Sequence, residues 1–223
     1  MNFEWLIVAL GNPGSKYSRT RHNIGWMVGF ELCKKHNAQV INESLIYQSA
    51  KLRLGNENVI IGFPTTYMNN SGEAVLKIHS KYHIPIERMI VIADEYNFPL
   101  GKVHMKKGGS NGGHNGIASI IYELQGSDFY RLRCGIGPKP KEIILTDFVL
   151  SEFKEDETDL LNLTIRKAIE SLEYFFRVNP ERAMSDINSE KLWITETEKK
   201  VQMEKQINEP SEQKDMPQIT PDH

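Results

Sequence analysis

Leu6-Ile7-Val8-Ala9-Leu10, closed by Gly11-Asn12-Pro13-Gly14, decides how the rest of the chain is read. Five apolar residues in a row are too few for a helix and suit a short strand buried on both faces. The Gly-Asn-Pro-Gly stop is turn chemistry. Asn23–His36 follows, apolar on several sides, the pattern of a well-buried helix. Further out, Tyr47–Leu54 and Val59–Phe63 flank Gly55-Asn56-Glu57-Asn58 and predict a β-hairpin. Asn70-Ser71-Gly72-Glu73 has capping-box spacing and predicts a helix from Ser71 to Tyr82. Met89–Ala93 reads as a buried strand and Lys102–Lys106 as a more exposed one. Asn115–Leu124 is expected to be a helix behind a glycine-rich loop, and Tyr130–Ile136 another strand. Leu161, Ile165, Ala168, Ile169, Leu172, Phe175 and Phe176 recur at helical spacing, behind Glu155, Asp156 and Glu157 at the positive end of the helix dipole. This alternation predicts an α/β fold, one sheet with helices on its faces.

Composition sets the outer limits. The 223 residues carry a net charge of −2, with 39% hydrophobic and 25% charged residues, which excludes a fibre, a fully disordered chain and a strongly cationic surface. The apolar runs fall far short of the roughly 20 residues of a membrane span. Glu4 and the short run behind it argue against an export signal. Cys33 and Cys134 lie among apolar neighbours and read as buried, reduced thiols of a cytoplasmic protein. Thr195–His223 has no glycine, three prolines and few apolar residues, so it is expected to be a disordered tail. Its net charge of −3 leaves +1 on residues 1–194, the expected single domain.

Four polar clusters stand where an α/β sheet binds ligands, beyond strand ends. They are Asn12, then Thr65-Thr66-Tyr67-Met68-Asn69, then Asp94-Glu95, and Gly112-Gly113-His114-Asn115-Gly116 at a helix start. Parallel strands would bring them to one edge; an antiparallel strand would send its cluster to the other. Asp94 ends an apolar strand and calls for a cationic or donor partner, most naturally a histidine. Of seven histidines, His22 is the expected partner, the alternative being that it only caps its helix. No Gly-x-Ser-x-Gly elbow or polar-loop cysteine offers a nucleophile. A His–Asp pair without one points to general-base activation of water, with asparagine amides holding the oxyanion. Zinc would need closely spaced ligands, and His-Glu-x-x-His and paired Cys-x-x-Cys are absent from the sequence. The glycine-rich segment Gly108–Gly116 lacks the Gly-Lys-[Ser/Thr] of a P-loop and the start of a dinucleotide motif. Lys102, His104 and Lys106 share one face of a strand, near Lys107, Arg131 and Arg133. That pattern fits a phosphate-binding patch or, more plainly, a solvated edge strand.

Taken together, Ile7–Gly14, Tyr17 with Thr20–Gly25, Pro64–Gly72, Asp94-Glu95, Gly112–Gly116, Arg131–Gly137 and Asp147–Leu150 resemble bacterial-type peptidyl-tRNA hydrolase, in order over residues 5–190. The resemblance implies one α/β domain around a twisted mixed sheet. It implies hydrolysis of the ester between a peptide and tRNA, with free aminoacyl-tRNA a poor substrate. It implies no cofactor, no metal, no membrane and no obligate protein partner, in a cytoplasmic monomer. Carried over by position, His22 is the base, Asp94 orients it, and Asn12, Asn69 and Asn115 bind the peptide end and position the attacking water or carbonyl. Tyr17 and Met68 line the cleft, and Lys102, His104, Lys106, Lys107 and Arg133 face tRNA phosphate. The alternatives are a non-catalytic RNA-binding relative and a hydrolase of another ester or amide. Two departures stand out: His104 replaces the usual Arg or Lys, and Asn97 a usual aspartate. A histidine there predicts tRNA affinity that rises as pH falls toward 6.

Overall fold

Every residue from Leu6 to Leu10 is fully buried, because the strand that holds them runs down the middle of a sheet covered on both faces. A computed structural model describes residues 3–193, and Met1–Ser189 forms one compact unit. The predicted tail, 195–223, lies outside the described residues.

The elements follow in order: β1 (Trp5–Ala9), α1 (Ile24–Lys35), β2 (Ile41–Asn42), β3 (Tyr47–Leu54), β4 (Glu57–Pro64), α2 (Ser71–Tyr82), β5 (Met89–Pro99), β6 (Val103–Lys107), α3 (Asn115–Leu124), β7 (Tyr130–Gly137), α4 (Leu145–Leu150), α5 (Thr158–Phe175) and α6 (Pro180–Asn188). The strands form one sheet in the order β2-β3-β4-β1-β5-β7-β6. β4, β1, β5 and β7 are mutually parallel, while β3 and β6 run antiparallel on either side. The sheet is mixed, and the carboxyl ends of its four central strands share one edge.

Alternation along β1 divides the core. Leu6, Val8 and Leu10 pack with Ala74, Val75 and Ile78 of α2 and Ile117 and Ile120 of α3. On the other face, Gly29 of α1 packs its backbone against Ala9 and Phe63, where a Cβ would lie 2.7–2.8 Å from their atoms. Each large side chain so buried contributes about 1.5–3 kcal/mol. The thiols are buried as expected, and burial pushes Cys33 up to about 11.

Four local expectations are corrected. The hairpin loop is tighter, since β4 starts at Glu57 and pairs it with Leu54. The capping box does not form: Asn70 makes no side-chain cap, and a 3₁₀ turn over Met68–Asn70 runs straight into α2, held by Ser71 Oγ donating to the Met68 carbonyl at 2.8 Å. β5 extends to Pro99, so Asp94 and Glu95 lie within a strand, paired with Cys134 and Gly135 of β7. A 3₁₀ turn takes up Glu155–Glu157 before α5 begins. α6 escaped the periodicity reading, although Asn179-Pro180 is a strong start: Asn179 accepts from the Arg182 amide at 2.8 Å and proline occupies the first turn.

Candidate active site

The parallel strands settle where the polar clusters go. Asn12, the residues after β4 and Asp94 all reach the same sheet edge. β6 is antiparallel and ends at the opposite edge, with Lys107 beside Tyr130. The glycine-rich loop must therefore climb back to bring His114 to Asp94. Gly112 and Gly113 make the bend with φ of +61° and +80°, a region that disfavours side chains. Arg131 fastens the loop, donating to the carbonyls of Gly109 and Ser110.

Asp94 is the hub. Its Oδ1 lies 2.7 Å from His22 Nδ1 and 2.9 Å from His114 Nε2. His114 also caps α3: its Nδ1 accepts from the amides of Gly116 and Ile117 at 3.1 and 3.3 Å. A nitrogen that accepts two N–H groups carries no proton, so the neutral ring bears its hydrogen on Nε2 and donates to Asp94. His22 likewise donates through Nδ1, which leaves its Nε2 lone pair for the cleft. Burial works against the Asp94 carboxylate, but the two histidines outweigh it and hold its pKa well below the usual range. Burial likewise opposes a charged His22, and the Asp94 charge and hydrogen bond overcome this and raise His22 above its ordinary 6.5. His22 caps nothing; the N-cap position of α1 is Asn23.

Asn23, fully buried, explains how Asn12 is held. Its Oδ1 accepts from the Asn12 amide and its Nδ2 donates to the Asn12 carbonyl, both at 2.9 Å. Asn12 Oδ1 then accepts from the Met68 amide at 2.8 Å. With the oxygen committed, Nδ2 is the free donor of Asn12. Met68 is buried, and its sulfur rests on Gly116, where a Cβ would lie 2.5 Å away. That close approach joins the Asn12–Met68 cluster to the start of α3. Tyr17 meets Tyr67 edge-on at 6.4 Å. Asn69 and Asn115 are exposed, Asn69 donating to Asn70 Oδ1 at 3.0 Å.

The cleft beside this hub is lined by His22, Asp94, Glu95, Lys106, Asn111, His114, Asn115, Arg131 and Arg133, with Leu145, Thr146 and Val149 of α4 as one wall. Asn12, Tyr17, Met68 and Asn69 are not among its lining residues.

The basic residues are less alike than their spacing implies. Register sets Lys106 opposite Arg131 and His104 opposite Arg133. Arg131 is only 3% exposed and gives Nη1 and Nη2 to the glycine loop. Arg133 is paired with Glu95 and Lys107 with Asp128 at 3.4 Å. Lys102 lies over the Phe98 ring at 4.9 Å. Burial, then the charges of Arg133, Lys102 and Lys106, push His104 below its ordinary 6.5. Asn97 donates to Glu95 Oε1 at 2.8 Å, where an aspartate would repel it.

His22, Asp94 and His114 also place three potential ligand atoms within 4.8 Å of one another. The donor set does not suit a cation: with Nδ1 capping α3, His114 Nε2 holds a hydrogen and has no lone pair to give.

Fold and site together define an α/β protein whose cleft is built around a buried His–Asp pair of the kind that serves as general base. A family model described as peptidyl-tRNA hydrolase matches residues 6–195. A peptidyl-tRNA hydrolase of Aquifex aeolicus is 42% identical over 188 residues, spanning 84% of this chain and 97% of that protein. One from Finegoldia magna is 41% identical, spanning 82% and 97%. The crystal structure of peptidyl-tRNA hydrolase from Acinetobacter baumannii superposes with a TM-score of 0.77 at 33% identity, covering 84% of this chain and 96% of that one. The chain belongs to the peptidyl-tRNA hydrolase family.

Sequence reasoning paired His22 with Asp94, which the structure brings to 2.7 Å, and gave no bonding partner to His114 or Asn23. His114 stands at a helix start, which marks a cap but not its second partner 20 residues away.

Proposed function

We propose that this protein hydrolyses the ester joining a peptidyl group to the terminal ribose of tRNA, freeing the tRNA for reuse. His22 Nε2 takes a proton from water as the oxygen adds to the ester carbonyl. The tetrahedral intermediate then expels the ribose oxygen, which recovers that proton from His22. Asp94 stabilises the imidazolium between the two steps. Asn12 Nδ2, with the carboxamides of Asn69 and Asn115, holds the peptide end and the developing oxyanion; the Met68 amide fixes the Asn12 side chain. The observation that carries the reading is the shared Asp94 oxygen, 2.7 Å from His22 Nδ1 and 2.9 Å from His114 Nε2 beside a cleft that His22 lines; with Nδ1 donating, the neutral His22 ring keeps its lone pair on Nε2.

Lys102, His104, Lys106, Lys107 and Arg133 take tRNA phosphates. Like charges opposite each other in a sheet are destabilising. Glu95 pairs directly with Arg133 and also offsets His104 and Lys106 from a distance, and a bound phosphate adds to that relief. The reaction uses no metal, and the protein works as a cytoplasmic monomer. Among the described residues no helix is long and apolar enough to cross a membrane.

The test is release of tRNA from an N-blocked aminoacyl-tRNA in EDTA, comparing the native chain with His22→Ala. We expect EDTA-insensitive cleavage and a loss of about 10²–10⁴-fold in the variant. Salt-sensitive tRNA binding without cleavage would make the protein a binding module instead.

A further inference from the structure

His22 has a buried neighbour on each side, and neither lines the cleft. Asn23 ties the turn to Asn12. Arg21, only 4% exposed, ties it to a different part of the fold. Its Nη1 donates to the Ile136 carbonyl at the end of β7 at 2.9 Å, and its Nη2 to Glu157 Oε2 at 2.5 Å. Its Nε donates to Ser151 Oγ at 3.3 Å. The guanidinium carbon lies over the rings of Phe148 and Phe153, at 4.9 and 4.8 Å from their centroids. The backbone follows: the Arg21 amide donates to the Ser151 carbonyl at 2.9 Å, and Thr20 bridges Glu152. Glu157 Oε2 accepts from the Lys154 amide as well, at 2.8 Å, so the carboxylate that grips Arg21 also closes the turn before α5.

An arginine is among the costliest side chains to bury. Here all three guanidinium nitrogens have acceptors, and two aromatic rings lie against the cation. Neither Arg21, Phe153 nor Glu157 lines the cleft. The residues they hold do: the turn carries His22, and the segment from β7 to α5 carries Leu145, Thr146 and Val149.

We propose that Arg21 is a positioning residue for the hydrolysis, clamping the His22 turn to the end of β7 and to the α4 wall so that base and wall keep one spacing. This rests on His22 being the base. A lysine cannot replace the fork, because one ammonium reaches one or two of the acceptors and does not stack as a plane. Small displacements of a catalytic group are expensive, about 10²-fold for an ångström.

The experiment compares Arg21→Lys, Glu157→Gln, Phe153→Leu and the Arg21→Lys/Glu157→Gln double variant. Readouts are circular dichroism, kcat and KM on N-blocked aminoacyl-tRNA, and the NMR signal of the His22 imidazole. Folded Glu157→Gln and Phe153→Leu should lose several-fold in kcat, with KM within about twofold and the His22 signal shifted. Arg21→Lys should lose about 10–100-fold, and the double variant little more, since both remove one clamp. Should Arg21→Lys fail to fold, the two milder variants decide. Native kcat in both, a loss confined to KM, or fully additive losses would overturn the proposal. If the unmodified chain released no tRNA, the functional reading would fall. The imidazole signal would then decide the clamp alone: shifted in the variants if Arg21 sets the ring, unchanged if it does not.

Discussion

Asp94→Asn removes one charge from the centre of the site while keeping nearly the same shape. The substituted amide has little choice of orientation. His114 Nε2–H points at this position because its Nδ1 is occupied by the α3 amides. The amide oxygen must therefore take the place of Oδ1, and it still accepts from His22 Nδ1. The His22 tautomer survives, so what is lost is electrostatic. Opposite charges about 4 Å apart interact by about 4 kcal/mol at an effective dielectric near 20. A hydrogen bond to a charged group contributes about 1.5–3 kcal/mol. Together these overlap at roughly 3–4 kcal/mol of lost imidazolium stabilisation, and at about 1.4 kcal/mol per tenfold kcat should fall about 10²–10³-fold. The pH profile should move in a direction that a merely damaged fold would not produce. In the native protein the carboxylate raises His22 above 6.5 against the effect of burial, so kcat/KM falls off on the acid side above 6.5. Without the carboxylate, burial acts unopposed and lowers the His22 pKa. The acid limb of the residual activity should shift to lower pH. The assay is single-turnover release of tRNA from an N-blocked aminoacyl-tRNA between about pH 5 and 9. A loss below tenfold, or an acid limb that stays in place or moves up, would refute the coupling of His22 to Asp94.

Gly116→Ala puts a Cβ 2.5 Å from Met68 Sδ and 3.1 Å from His114 Cε1; the overpacking should cost about 1–3 kcal/mol in urea unfolding and lower kcat, as His114 and Asn115 both move. Glu43, bonded to Lys81 at 2.6 Å and to Ser49 and Tyr82, is held at about 2 despite the opposing effect of burial. A depressed carboxylate stabilises the fold above its unfolded value of 4.5 and loses that contribution as pH falls through about 2, so Glu43→Gln should cost about 1–2 kcal/mol at pH 7 and little near pH 2. In filter binding of tRNA, the His104 contribution should appear at lower pH than an ordinary imidazole's, because burial and the charges of Arg133, Lys102 and Lys106 push its pKa down. His104→Arg should steepen the dependence of log affinity on log salt by about 0.7–0.9, one phosphate contact; an unchanged slope would place His104 outside the RNA contact.

The strand–helix alternation, the apolar run of β1 and the turn after it were legible from the residues because burial on both faces demands uninterrupted apolar sequence. Asp94 was legible for a related reason: a carboxylate following Met89–Ala93 must be buried with a partner. Composition likewise ruled out a membrane span in the apolar runs. Local pattern could not supply direction. Only the parallel pairing of β4, β1 and β5 puts Asn12, Met68 and Asp94 at one edge, and only the antiparallel β6 forces the glycine loop back to deliver His114. Pairing energy across the sheet likewise extended β5 through Asp94 and Glu95, past the end of the apolar run. The partners of polar groups were the least legible of all. His114 stands at a helix start, Asn23 opens another helix, and nothing in the local pattern marks Arg21 for burial. Each takes its role from hydrogen-bond partners 11 to 136 residues away in the chain, and hydrogen bonds over such separations exist only once the topology has brought their ends together.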